Sequence, residues 1–211
     1  MRIYLAAPTT FMLGEEARGA TAVDVKRALI SYTGGSTARF VRAFDRLGEP
    51  SDVCIDSGAH GFQNKHFKKK QVVTVEEVER HIDRMAAMIE ALVRVGARPR
   101  FFVEMDLQRI FGYDQVLKWR ANRLRPIEDR LGVPLCYVWH RQDGPEAWRA
   151  LLDDSKVKQL AVSMPACEWI AKTRAPLVYQ AHEARKPVHG FACVRPDLVS
   201  NVPLTTVDST S

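Results

Sequence analysis

Three aspartates in this 211-residue sequence, Asp56, Asp106 and Asp208, each stand directly after a short apolar run. Aspartate is a poor strand former and costs free energy when buried without a partner. A single aspartate in that position reads as a turn residue or helix cap. Three of them read better as a working set of carboxylates, which can serve as nucleophile, proton carrier or hydrogen-bond acceptor. Glu104 precedes Asp106 by two residues and so shares its pleat face. His140 follows another apolar run and reads equally as a pocket residue and as a strand-end histidine satisfied by its neighbours. His189 begins a run and reads as structural. His60 and His66 lie near Asp56, but their spacing matches no metal site.

An alternation of strands and helices has to position these groups. Apolar runs rich in Val, Ile, Phe and Tyr occupy residues 3–6, 28–32, 53–55, 101–105, 135–139, 159–163, 188–194 and 204–207. Each is too short for a typical helix, and together they predict eight strands. The clearest helix spans 74–95. Thr74 and Glu77 open it as a capping-box pair, Val75, Val78, Ile82, Met85, Ile89 and Leu92 mark one apolar face, and Gly96 ends it. Further helices are expected over 36–47, 114–131, 148–152 and 167–184, with Pro126 breaking or kinking the second of these. Residues 63–71 (QNKHFKKKQ) read as a basic loop.

Strands alternating with helices predict a parallel sheet. Eight of them predict an α/β fold, a single-domain (β/α)8 TIM barrel over residues 1–211, rather than an open doubly wound sheet. No Gly-rich phosphate loop follows the first strand, which also disfavours a dinucleotide-binding sheet. Nothing follows the eighth run that could form a last helix, so that helix is expected to be missing or replaced. Catalytic groups in such barrels come from the C-terminal ends of the strands, where the three aspartates fall.

Lys and Arg total 31 against 25 Asp and Glu, a net charge of +6. A basic balance of this size suits polyanionic partners and solubility equally. Lys65, Lys68, Lys69 and Lys70 follow the Asp56 strand and are placed to hold phosphates, the alternative being a solvated charge run. Phe67 among them can stack on a base or pack on the barrel. The four cysteines, Cys54, Cys136, Cys167 and Cys193, form no CxxC pair, which leaves out zinc-ribbon spacing. Three of them lie in apolar runs, predicting buried free thiols and a reducing, cytoplasmic location. No run reaches the ~18 apolar residues that span a bilayer, and the N-terminus has no signal-peptide pattern, so no membrane partner is expected.

Residues 56–63 (DSGAHGFQ) resemble the DSGGFQ motif of the tRNA-guanine transglycosylases. Later segments follow in that superfamily's order: FFVEMD at 101–106, PLCYVWH at 134–140, LAVS at 160–163, HGF at 189–191 and VDSTS at 207–211. The VWH, HGF and VDSTS segments are most similar to the phage and bacterial DNA 7-deazaguanine transglycosylases, a branch of the same superfamily. The likeness covers most of the chain from Leu29 onward. Departures are visible too. Two extra residues separate Asp56-Ser57-Gly58 from Phe62-Gln63, and Ser163-Met164-Pro165 stands where Gly-Gly-Leu is usual. The three cysteines and one histidine that hold zinc in the tRNA enzymes have no counterpart, which favours the DNA branch, and no cofactor is implied.

The resemblance implies a pentosyltransferase that exchanges guanine in DNA for a free 7-deazaguanine base such as preQ0. Asp208 would be the nucleophile, forming a covalent sugar intermediate, and Asp56 the general acid/base. Asp106 would read the N1–H and N2–H edge of the base, a task suited to a carboxylate with two acceptor oxygens. Ser57, Gly58, His140, Ser163 and Tyr32 would line the substrate site, and the four lysines would bind nucleic acid. The nearest alternatives are the same exchange on tRNA and a retaining N-glycosidase or nucleosidase. A homo-oligomer is a further candidate assembly.

Overall fold

The first and last strands of the chain pair with each other. β1 (Arg2–Ala7) lies parallel to β8 (Thr206–Ser209), with Tyr4 opposite Asp208. The computed structural model describes residues 1–7, 27–32, 37, 38, 41 and 52–209. An open sheet leaves its outer strands as edges, whereas a barrel joins first to last. The strands follow chain order from β1 to β8 around a closed barrel, and helices intervene. This is the predicted (β/α)8 architecture. The chain forms two compact units, Ala7–Val133 and the combination of Met1–Ala6 with Pro134–Ser211.

In the unit Ala7–Val133, β2 (Arg27–Ser31) pairs in parallel with β3 (Asp52–Asp56), and β3 with β4 (Phe101–Val103). Ala28, Leu29, Ile30, Val53, Cys54, Ile55, Phe101, Phe102 and Val103 are all buried. Both faces of these strands are covered, so they read as continuous apolar runs without alternation. α1 (Ala59–Gln63) follows β3 and widens into a π-helical turn at Asn64–Lys68. The basic segment predicted as a loop is therefore largely helical. It contains no Gly or Pro, and Lys and Gln are good helix formers. It closes where Lys70 takes φ 55 and the Gln71 N–H donates to the Lys65 carbonyl at 3.0 Å.

α2 (Val75–Arg94) is the predicted long helix. Thr74 Oγ1 accepts from the Glu77 N–H at 3.2 Å, and Val78, Ile82, Met85, Ile89 and Leu92 form its buried face. After β4 come α3 (Gln108–Phe111), α4 (Tyr113–Trp119), a π-helical turn at Arg120–Leu124 and α5 (Arg125–Leu131). The kink expected at Pro126 takes the form of this wider turn just before it. A proline ring cannot sit against a regular preceding turn, and the extra width absorbs the clash.

In the other unit, β5 (Leu135–Trp139), β6 (Gln159–Val162), β7 (Val188–Gly190) and β8 pair in parallel succession. α6 (Gly144–Asp153) follows β5. The single helix predicted over 167–184 is two, α7 (Met164–Thr173) and α8 (Leu177–Glu183). Arg174 at φ 52 caps the first, and Pro176, without an N–H, cannot continue it. β7 stops at Gly190 instead of residue 194, and α9 (Pro196–Asn201) occupies sequence whose pattern predicts no helix. β4 ends two residues early because the Glu104 and Met105 carbonyls turn to accept from Asp106 and Leu107. All four cysteines are buried thiols outside any disulfide. The predicted helix 36–47, apart from residues 37, 38 and 41, lies outside the described residues, as do Thr210 and Ser211. Among the described residues no helix is long and apolar enough to cross a membrane.

Candidate active-site carboxylates

Asp56 closes β3, opposite Ser31 at the end of β2. It is half-buried, and its Oδ2 accepts from the Ser31 hydroxyl at 2.7 Å. Its carbonyl accepts from the Tyr32 N–H at 2.9 Å. The chain then turns sharply through Ser57 and Gly58. Gly58 has φ 75, and a Cβ there would overlap the Tyr32 carbonyl oxygen. His81 on α2 supports the turn from behind, its Nε2–H donating to the Ser57 carbonyl at 2.7 Å. The imidazole lies between the rings of Tyr32 and Phe62, with centroids 4.9 and 5.0 Å away. Burial lowers the pKa of His81 against the opposing pull of that hydrogen bond, and burial also raises that of the Tyr32 phenol. Both rings are therefore neutral packing elements. Tyr32, predicted at the substrate, is buried against His81, and Ser57 is fully buried.

Asp106 follows β4 and is half-buried. Gln63 Nε2 donates to its carbonyl at 3.1 Å, tying the end of α1 to the strand end. Two residues earlier, Glu104 is fully buried and takes Arg120 in a two-bond pair at 2.8 and 2.9 Å. Burial pulls the Arg120 pKa down, but the Glu104 carboxylate outweighs it and holds that pKa above its usual value. Arg120 sits in the π-helical turn, so the irregular helix carries the cation that pins the Asp106 strand. The side-chain amide of nearby Gln108 is buried with neither its oxygen nor its nitrogen hydrogen-bonded among the described residues.

Asp208, in the other unit, is only 2% exposed. Its Oδ1 accepts from the Ala192 N–H at 2.7 Å, and His189 Nε2 lies 3.4 Å from the same oxygen. No donor among the described residues reaches Oδ2. Ala192 is held at φ 55, a left-handed conformation that costs a non-glycine residue about 1 kcal/mol. The loop is compact because Gly190 has no side chain: a Cβ there would come within 2.8 Å of the Cys193 Cβ and 2.5 Å of Leu204 Cδ1. Cys193 donates to the Phe191 carbonyl at 3.2 Å. Its hydrogen bond with Cys167, together with burial, pushes its thiol pKa up. It fills space beneath the loop that presents Ala192 to Asp208.

His140 is half-buried, and its backbone N–H donates to Asp143 Oδ2 at 2.9 Å at the start of a short 3-10 turn. Ser163 opens α7 as its N-cap residue, half-buried, with its carbonyl accepting from Cys167. Of the four lysines, Lys65 is engaged by both oxygens of Glu77 at 2.7 Å. Lys68, Lys69 and Lys70 are exposed. Phe67 lies under the Arg109 guanidinium, 4.9 Å from its ring centroid, and edge-on to His66. No group of three or more metal-ligating side chains occurs among the described residues.

Sequence reasoning passed over His81, Arg120 and Ala192. His81 left a readable signal, a lone histidine on the apolar face of α2. The left-handed conformation of Ala192 left none. No protein-family model matches the chain, and no curated protein is significantly similar to it. The class defined by the fold is the (β/α)8 barrel, with carboxylates at the C-terminal ends of β3 and β8 and just beyond β4.

Proposed function

We propose that the protein is a transglycosylase that exchanges guanine in DNA for a 7-deazaguanine base. The observation that carries this reading is the state of Asp208. The Ala192 N–H donates to Oδ1, and His189 Nε2 lies 3.4 Å from that same oxygen, which leaves Oδ2 as the attacking oxygen. Such a carboxylate, oriented and nearly dry, suits displacement at an anomeric carbon, the chemistry of retaining glycosidases.

In this reading Asp208 attacks C1′ of the target nucleotide. The C1′–N9 bond breaks, its electron pair stays on N9, and the Asp56 carboxylic acid supplies the proton. The sugar is then held as an ester of Asp208 while the phosphodiester backbone stays intact. The incoming base gives its N9 proton to the Asp56 carboxylate and attacks C1′, returning the C1′–O electron pair to Asp208. The Ser31 hydroxyl donates to Oδ2 of Asp56 and helps to orient that carboxyl group. Asp106 takes the N1–H and N2–H edge of the base. The target base has to leave its stack first, and Lys68, Lys69 and Lys70 would hold the flanking phosphates.

The direct test is incorporation of radiolabelled guanine into DNA by the full chain. Incorporation by the wild type and none by Asp208→Ala supports the assignment; equal incorporation by the two removes Asp208 from the role.

A further inference from the structure

His189 and Thr206 are directly opposite each other on the parallel pair β7 and β8. Asp208 is two residues beyond Thr206, so both project from the same face of β8. The imidazole of His189 spans them. Its Nδ1 lies 2.8 Å from Thr206 Oγ1, and its Nε2 lies 3.4 Å from Asp208 Oδ1. The ring is fully buried and is packed edge-on by Tyr4 and Phe191, at centroid distances of 6.1 and 4.8 Å. Packing against these two rings restricts the turning of the imidazole.

These contacts decide the tautomer. An ionised carboxylate only accepts hydrogen bonds, and Oδ1 already accepts from Ala192. The nitrogen facing it, Nε2, avoids lone-pair repulsion with the carboxylate only when it carries a hydrogen. In the singly protonated ring Nδ1 is then an acceptor, and the Thr206 hydroxyl, which can rotate, donates to it. The alternative tautomer would set the Nε2 lone pair against the carboxylate.

We infer that His189 is a positioning residue for Asp208, with Thr206 fixing the nitrogen that faces it. This rests on Asp208 being the nucleophile of the proposed exchange. The Ala192 N–H holds Oδ1, and the His189 ring, whose Nε2 stands 3.4 Å away and short of hydrogen-bond geometry, walls that oxygen and leaves Oδ2 aimed at the anomeric carbon. Losing the ring beside Oδ1 lets the carboxylate rotate about χ2, and misplacement on the ångström scale costs about 100-fold in rate. Binding of nucleic acid does not pass through this pair.

Two measurements on the full chain test the inference. In base-exchange kinetics, His189→Leu is expected to lower kcat about 100-fold with KM for DNA nearly unchanged. His189→Gln, whose amide N–H can reach the carboxylate, is expected to recover most of that loss, and Thr206→Val to fall between wild type and His189→Leu. A His189→Leu protein with wild-type kcat overturns the inference, as does a loss confined to KM. The second measurement needs no activity. 15N NMR of histidine-labelled protein, with the His189 signal assigned by its loss in His189→Gln, is expected to give the Nε2–H tautomer and a change of shift in Asp208→Ala. The Nδ1–H tautomer overturns the inference. A wild-type protein that exchanges no base would remove the transglycosylase reading, while the NMR result still decides whether His189 faces Asp208 as a donor.

Discussion

The carbonyl oxygen of Tyr32 occupies the space where a side chain on Gly58 would begin, and Gly58 itself has φ 75. The Tyr32 N–H meanwhile donates to the Asp56 carbonyl at 2.9 Å. The backbone after β2 is thus locked against the turn that carries Asp56 and Ser57. Both the left-handed conformation and the overlap count against any replacement. Gly58→Ala is expected to destabilise the protein by more than about 2 kcal/mol in urea unfolding. Gly61, on α1, has open space around it, and Gly61→Ala should be neutral or stabilising by up to ~1 kcal/mol.

His81 makes the same turn sensitive to pH. Burial holds its pKa below the ordinary 6.5. As pH falls through about 6.5 the unfolded chain takes up a proton that the folded chain refuses. Stability from this group is complete above that pH and is lost on acidification, down to the folded pKa. His81→Gln, which keeps an N–H donor for the Ser57 carbonyl, should flatten the dependence of unfolding free energy on pH in that window. An unchanged slope would show that His81 is not the group responsible.

The Glu104–Arg120 pair is buried on both sides. Arg120→Met leaves a carboxylate without its partner in the core and is expected to cost about 3–5 kcal/mol. Replacing both residues with Met should restore most of that stability, because the double variant leaves no charge stranded. Chemical denaturation of the single and double variants measures the difference.

Lysine replacements should separate a phosphate-binding surface from a solvated one. If Lys68, Lys69 and Lys70 bind phosphates, the triple Ala variant should hold duplex DNA more weakly. The slope of log K against log salt should then shrink by roughly 0.9 for each phosphate no longer neutralised. Lys65→Ala should change the slope less, since Glu77 already holds that ammonium group. A triple variant with the wild-type slope would mean that the three charges are only solvated.

The barrel was legible because both of its signals are local. Fully covered parallel strands leave unbroken apolar runs such as 135–139, and α2 carries both its cap and its periodic face in sequence. Errors gathered where backbone geometry is set by distant partners. The 63–71 segment has a loop's composition and, over most of its length, a helix's backbone. β7 stops at Gly190, where Cys193 and Leu204 pack too closely for a side chain, and nothing in the local pattern reveals that. Of the candidate site, the strand-end positions of Asp56 and Asp208 could be read directly. Their supports could not. Ser31 reaches Asp56 across a strand pair, and the grip on Asp208 depends on a left-handed alanine.

Base exchange without strand cleavage can be read directly by mass spectrometry of nucleosides released from DNA after incubation with the protein and free preQ0. A 7-deazaguanine nucleoside in place of part of the deoxyguanosine is expected, with intact strands and no product with Asp208→Ala. Unchanged nucleosides in DNA, and in tRNA treated the same way, would contradict it.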